Sequence, residues 1–389
     1  MHNPKGSWRM CLAATVSLFC IVGLTINAFS VYQPYLQVRC ALSNTQAANY
    51  IVVRSLFAFA SLFLVGKFYD KLDIRLGLTT ALVLSAASFA LYAWAEQFWQ
   101  LCLAAAVAGL AFGLGGMYPA SLLISRWFHT HSALALGICS AGSGLAAIVG
   151  APVITALAEN YSVQTALLTE AAVLLVGAAA CFFLIQNWPR DAVRTEKQTQ
   201  SGGISVRVTW MFAAVVAIGV LGNTGFQYLT MHFTARDFTP YQVSVLVSVL
   251  GTALMASKFL FGEAVDRWGA YRSNWMFFGS TILGCVLCCV AGGYGLAMGA
   301  VLLYGLGLAF GTVGLTVYAK DLSSPEEFAD IVRQNQIAYL LGALLFGSVP
   351  GLLADWTGSY TAFYGLLTVL AVFAMVVVQR SYHKKSTSI

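Results

Sequence analysis

Charge is what this 389-residue sequence has least of: 9% of its residues are Asp, Glu, Lys or Arg, against roughly a quarter in soluble domains. With 59% hydrophobic residues alongside, a water-soluble globule is excluded. Eight of the nine cysteines lie in apolar runs and only Cys40 falls in an outer connection, so neither a disulfide framework nor a metal-binding pair of Cys-x-x-Cys is expected. Cys285, Cys288 and Cys289 come nearest to one, and in a small-residue helix they read as packing residues. No nucleophile and base arrangement, phosphate-binding loop or metal cluster is apparent, so neither an enzyme nor a cofactor is expected. A cleavable signal peptide is missing too, because the first apolar run continues past the length of a signal core.

Long apolar runs are what is present. At about 20 residues per span they give about twelve helices, with the first at 10–35, the second at 44–66, the eighth at 241–262 and the eleventh at 334–354. Lys and Arg in short loops stay on the cytoplasmic side. With both termini inside, seventeen of the twenty-one basic residues are cytoplasmic, Arg39 and Arg236 lie outside, and Arg54 and Lys258 fall within spans. The expected placement is the cytoplasmic (inner) membrane, and the net charge of +6 is topology and no sign of nucleic acid. The polar stretch from Asn187 to Ser205 divides the chain into a bundle at 1–187, a cytoplasmic linker at 188–207 and a second bundle with a short tail at 208–389. A shorter polar stretch, Lys320 to Arg333, is expected to carry a surface helix.

One stretch is written twice. Gly66-Lys67-Phe68-Tyr69-Asp70-Lys71 and Gly262-Glu263-Ala264-Val265-Asp266-Arg267 share glycine, acid and base at an offset of 196, which also pairs Asn27 with Asn223, Tyr32 with Tyr228 and Gln46 with Gln242. Further along, an offset of 198 lays Gly109-Leu110-Ala111-Phe112-Gly113 on Gly307-Leu308-Ala309-Phe310-Gly311. A repeat that keeps its direction implies an all-α polytopic membrane protein: twelve transmembrane helices in two pseudo-symmetric six-helix bundles, related by an axis along the membrane normal. The duplicated stretches fall between the second and third helices of each half, where glycine admits a neighbouring helix and the charged residues form a gate latch of Gly66, Asp70, Lys71, Gly262, Asp266 and Arg267.

That loop pattern resembles the signature of the major facilitator superfamily, although Asp73 stands where the family usually has glycine. Two further segments, Arg126 to Gly144 and Gly351 to Tyr360, resemble the branch holding the oxalate/formate antiporters and monocarboxylate transporters. The aspartate and tryptophan pair of animal monocarboxylate carriers is missing from the first helix, which speaks against a lactate-type substrate. Pro152 is expected to break the fifth helix near its outer side.

A charge at the bilayer centre costs roughly 2.5 to 3.5 kcal/mol on insertion scales, so an intramembrane cation marks a functional site. Arg54 lies about 12 Å into the second span at 1.5 Å per residue, and Lys258 lies four residues before Gly262. By depth alone Lys258 could snorkel to the surface; the family resemblance implies instead that it binds a substrate carboxylate. Glu170 is the one carboxylate well inside a span, a candidate for proton coupling or for a pair with Arg54. Asn27, Tyr32, Asn223, Gln227, Gln336 and Tyr339 stand at cavity depth, and Tyr118 matches a substrate-lining tyrosine of the carboxylate carriers.

The expected function is secondary active transport of a small organic anion, a mono- or dicarboxylate, by alternating access, with proton symport or anion exchange. Its partners are that anion, protons and the lipid bilayer, and the chain is expected to be a monomer. An exporter of lipophilic compounds is the alternative within transport, and a non-transporting membrane sensor the alternative outside it.

Overall fold

The structure is a computed structural model that describes residues 6–128, 132–186, 209–311, 313–324 and 327–387. The expected linker at 188–207 lies outside the described residues. The described residues are mostly helical, with no strand among them.

Twelve helices follow in order. They are α1 (Ser7–Arg39), α2 (Asn44–Ser61 with Val65–Lys71), α3 (Ile74–Trp94), α4 (Phe98–Trp127), α5 (Ser132–Asn160) and α6 (Val163–Leu184), then α7 (Trp210–Gly225 with Leu229–Thr234), α8 (Pro240–Trp268), α9 (Ala270–Val290), α10 (Tyr294–Leu322), α11 (Phe328–Phe346 with Val349–Thr357) and α12 (Thr361–Thr387). Among the described residues nine stretches are long and apolar enough to cross a membrane, and one of these, Pro240–Val290, holds both α8 and α9. The bent pair that makes α2 and the shorter apolar stretch of α7 complete the twelve.

The repeat has a local physical basis. Ser43 and Gln46 form a capping box at the start of α2, and Thr239 and Gln242 form the same box at the start of α8, so the paired glutamines are paired helix caps. Likewise α1 and α7 each pass through a π-helical stretch, Phe19–Asn27 and Val220–Gly225, that contains the paired asparagine. A π stretch carries extra residues per turn and often marks a functional site.

Three expectations change. The duplicated stretches are helical: Val65–Lys71 continues α2 after a 57° bend, while Gly262 to Trp268 is the straight end of α8. Left-handed Gly269, φ 78°, then turns the chain directly into α9. Pro152 sits inside an unbroken α5, and the described residues between Lys320 and Arg333 belong to the end of α10, the start of α11 and the positions beside them, with no separate surface helix among them. Local hydrogen bonding explains the first change, since the backbone groups of these stretches prolong the helix that carries them.

Most helices pack within their own half: α2 on α4, α3 on α4 and α6, α9 on α10 and α12, and α7 on α11. Between halves α5 packs on α8 and α2 on α11. The bonds joining the halves run from the middle of the molecule to the end away from the chain termini. Thr230 Oγ1 donates to the Ser30 carbonyl at 2.7 Å, Ser248 Oγ to the Ile148 carbonyl at 3.0 Å, and Ser348 Oγ to Asn49 Oδ1 at 2.7 Å. Asp355 on α11 takes the first turn of α2: Oδ1 accepts from Asn44 N at 3.1 Å and Nδ2 at 2.8 Å, and Oδ2 from Thr45 N at 2.9 Å and Oγ1 at 2.5 Å.

Candidate functional site

Arg54 stands midway along α2, 4% exposed. Gly109 of α4 presses so closely on its carbonyl that a Cβ there would collide with it and meet Phe57 Cβ at 3.0 Å. The side chain crosses toward the other half. Its Nη2 donates to Gln227 Oε1 on α7, an oxygen that Gln33 Nε2 of α1 also approaches at 3.5 Å. The guanidinium carbon lies 5.4 Å from the centre of the Phe29 ring, a cation–π contact.

No carboxylate faces this cation among the described residues. Arg267 pairs with Glu263 and Arg333 with Asp330, both on the exposed surface. Arg54 Nη1 has no hydrogen-bond partner among the described residues, and neither do the buried Nδ2 of Asn223 or the hydroxyls of Tyr50 and Tyr92. A buried charge left uncompensated costs several kcal/mol, on the order of 3 to 5 when a partner is removed. Unsatisfied donors grouped around a cation point to an acceptor that arrives from outside the protein.

A cavity lies at this place. Arg54, Ser55 and Ile51 of α2, Asn223 and Gln227 of α7 and Leu340 of α11 are among its walls. Room for the centres of water-sized molecules is about 40 Å³, which at roughly 10 to 15 Å³ each holds a few waters or one very small solute.

The other sequence candidates divide around it. Tyr32 is fully buried and donates to Glu170 Oε2 at 2.7 Å, so it serves the carboxylate and not the cavity. Glu170 itself, 5% exposed with Oε1 unpartnered, does not pair with Arg54. Asn27 donates from Nδ2 to the Ser143 carbonyl at 3.1 Å, tying α1 to α5. Tyr339 fills the notch left by Gly219, Gly222 and Gly311, whereas Gln336 is exposed. Tyr118 is 47% exposed, its ring 6.2 Å from that of Tyr69, and it is not among the cavity walls.

Lys258 is half-buried on α8, outside the cavity walls. Three residues before it, Met255 meets Gly144 where α5 and α8 cross. In the duplicated stretches Asp70, Lys71, Asp266 and Arg267 are exposed. Nothing lies within 4 Å of where a Cβ of Gly66 or Gly262 would stand, so these glycines admit no close neighbour in this conformation. The first turn of α2 held by Asp355 is a contact between the halves that sequence reasoning missed. The signal was available, because Asp355 lies inside the Gly351 to Tyr360 segment singled out for its family resemblance.

A sequence model of the Major Facilitator Superfamily matches residues 15–332. The Agnestins efflux protein AgnL12 of Paecilomyces divaricatus is 24% identical over 344 residues, covering 86% of this chain and 76% of that protein. Monocarboxylate transporter 12 of Mus musculus is 25% identical over 357 residues, covering 79% of this chain and 71% of that one. The crystal structure of the nucleoside transporter NupG superposes with a TM-score of 0.73 at 15% identity, covering 96% of this chain and 99% of that one, which is a likeness of fold.

Proposed function

Because this chain belongs to the Major Facilitator Superfamily and is a multi-pass membrane transporter, we propose that it carries a small organic anion, a mono- or dicarboxylate, with Arg54 as the anchor. One observation carries this reading. A guanidinium buried between the halves has no carboxylate partner among the described residues and an unpartnered Nη1, and a carboxylate would satisfy both its charge and its fork. Asn223 Nδ2 supplies a further donor at the same cavity.

In this reading the halves, 1–187 and 208–389, rock about the cavity, and the joined end opens as the other closes. Asp70, Lys71, Asp266 and Arg267 are exposed here and would engage in the opposite state. Both termini are assigned to the cytoplasmic side of the inner membrane by the basic residues, which makes this conformation inward-facing. Glu170, bonded to Tyr32 and not among the cavity walls, is the proposed proton-coupling group, and the carrier is proposed to act as a monomer.

Thermal stability of the purified protein against a panel of carboxylates tests the anchor, since a ligand at 100 times its Kd stabilises by about 2.7 kcal/mol. Parent protein should be stabilised by a compact carboxylate and Arg54→Leu should not be. Equal stabilisation of the two would remove Arg54 as the anchor, and no response of the parent to any carboxylate would end the anion reading. Likeness to a fungal efflux protein favours a second reading, export of a lipophilic compound. A lipophilic cation needs an acid in the cavity, and the walls present a cation in its place; stabilisation by cationic dyes with no response to carboxylates would favour export.

A further inference from the structure

The contact between Arg54 and Gln227 carries more than a wall of the cavity. Guanidinium nitrogens donate and never accept, so the Gln227 atom that faces Arg54 must be its oxygen. That oxygen belongs to α7, in the second half, and the donors around it, Arg54 Nη2 and Gln33 Nε2, belong to α2 and α1 in the first. The bond therefore joins the halves at the cavity itself, alongside the bonds that hold the joined end.

An amide oxygen answers a guanidinium only in part. It is neutral and single, so Nη1 is left over. A carboxylate is charged, has two oxygens spaced for the guanidinium fork, and makes hydrogen bonds roughly twice as strong. We propose that the Gln227 amide occupies the place of the substrate carboxylate in the empty carrier, and that the anion binds by displacing it. The proposal rests on the anion reading above and adds to it an internal competitor and a coupling.

The coupling follows from where the displaced bond ran. In the empty carrier Arg54 is bonded across the halves, which holds the joined end shut. In the loaded carrier Arg54 is bonded to a solute and the cross-half bond is gone. A ligand shifts a conformational equilibrium only by its differential interaction with the two states, and here that difference is one exchanged hydrogen bond of a buried cation. Loaded protein should change state more readily than empty protein, so exchange of anions should outrun net movement.

Three variants decide it, with acetate and succinate as the mono- and dicarboxylate probes and the concentration for half-maximal thermal stabilisation as readout. Gln227→Glu places a tethered carboxylate on Arg54 and should weaken anion binding at least tenfold. Gln227→Leu removes the competitor: binding should tighten several-fold, and in proteoliposomes the ratio of exchange to net efflux of labelled anion should fall. Arg54→Leu is the control for the anchor. If Arg54→Leu loses the response while both Gln227 variants bind as the parent does, the displacement is wrong and the anion reading stands. If Arg54→Leu binds as the parent does, Arg54 is not the anchor and the displacement falls with it; if the parent responds to neither probe, the anion reading itself is wrong. Should Gln227→Leu fold poorly, Gln227→Glu decides alone, because it keeps the size of the parent side chain and an oxygen for Arg54.

Discussion

Two intramembrane cations look alike in sequence and differ in place. Arg54 reaches the cavity and Gln227; Lys258 stands outside the cavity walls, near the crossing of α5 and α8. Lys258→Ala should therefore keep the anion-induced stabilisation within about twofold of the parent's midpoint concentration, with any effect confined to transport rate. A complete loss of stabilisation in that variant would return the anchoring role to Lys258. Glu170 makes a separate prediction. Its carboxyl receives one hydrogen bond, from Tyr32, and leaves Oε1 without a partner, and the coupling role proposed for it has a direct test. Glu170→Gln should flatten the pH dependence of transport while leaving the anion-induced thermal shift in place. A parent-like pH profile in that variant would remove Glu170 from coupling.

At the scale of helices, the first turn of α2 is held twice over, by its own capping box and by Asp355 from the opposite half. A carboxylate at a helix N-terminus is favoured by the helix dipole, and a lost cap costs about 1 kcal/mol. Asp355→Ala should lower thermal stability by that order and shift the protein toward the state open at this end. The shift is measurable as faster labelling of a cysteine substituted at Ser348, which bonds Asn49 across the same seam. Unchanged labelling would make Asp355 an ordinary cap. Gly109 tests how α2 and α4 fix the anchor. A methyl group there strikes the Arg54 carbonyl, and overpacking of this kind costs typically 1 to 3 kcal/mol. Gly109→Ala should lower the melting temperature and weaken anion binding together; a parent-like protein would show that α4 can shift without disturbing Arg54.

At the scale of the whole molecule, orientation is open to direct measurement. Cys40 ends α1 at the joined end, where its thiol is directed at the Ala95 carbonyl. With the termini inside, an impermeant thiol reagent added from outside should reach Cys40 and Arg236→Cys but not Ser201→Cys or Ser386→Cys. The opposite pattern would invert the molecule. The sequence alone determined the twelve helices, because apolar runs of span length leave the backbone no other way to satisfy its hydrogen bonds in lipid. It determined the duplication as well, down to the paired capping glutamines, since caps and hydrophobic runs are local in the chain. It also named Arg54, Asn223 and Gln227, because polar groups in an apolar span stand out wherever they fold. Only the tertiary structure separated them from Tyr32, Asn27, Tyr339 and Lys258, which are equally conspicuous in sequence. Tyr32 turns to Glu170, Asn27 to the Ser143 carbonyl and Tyr339 into a glycine notch. Which partner a buried polar group meets depends on the rotation and crossing of helices more than a hundred residues apart, as with Arg54 and Gln227. No local pattern encodes that distance; the packing of one half against the other decides it.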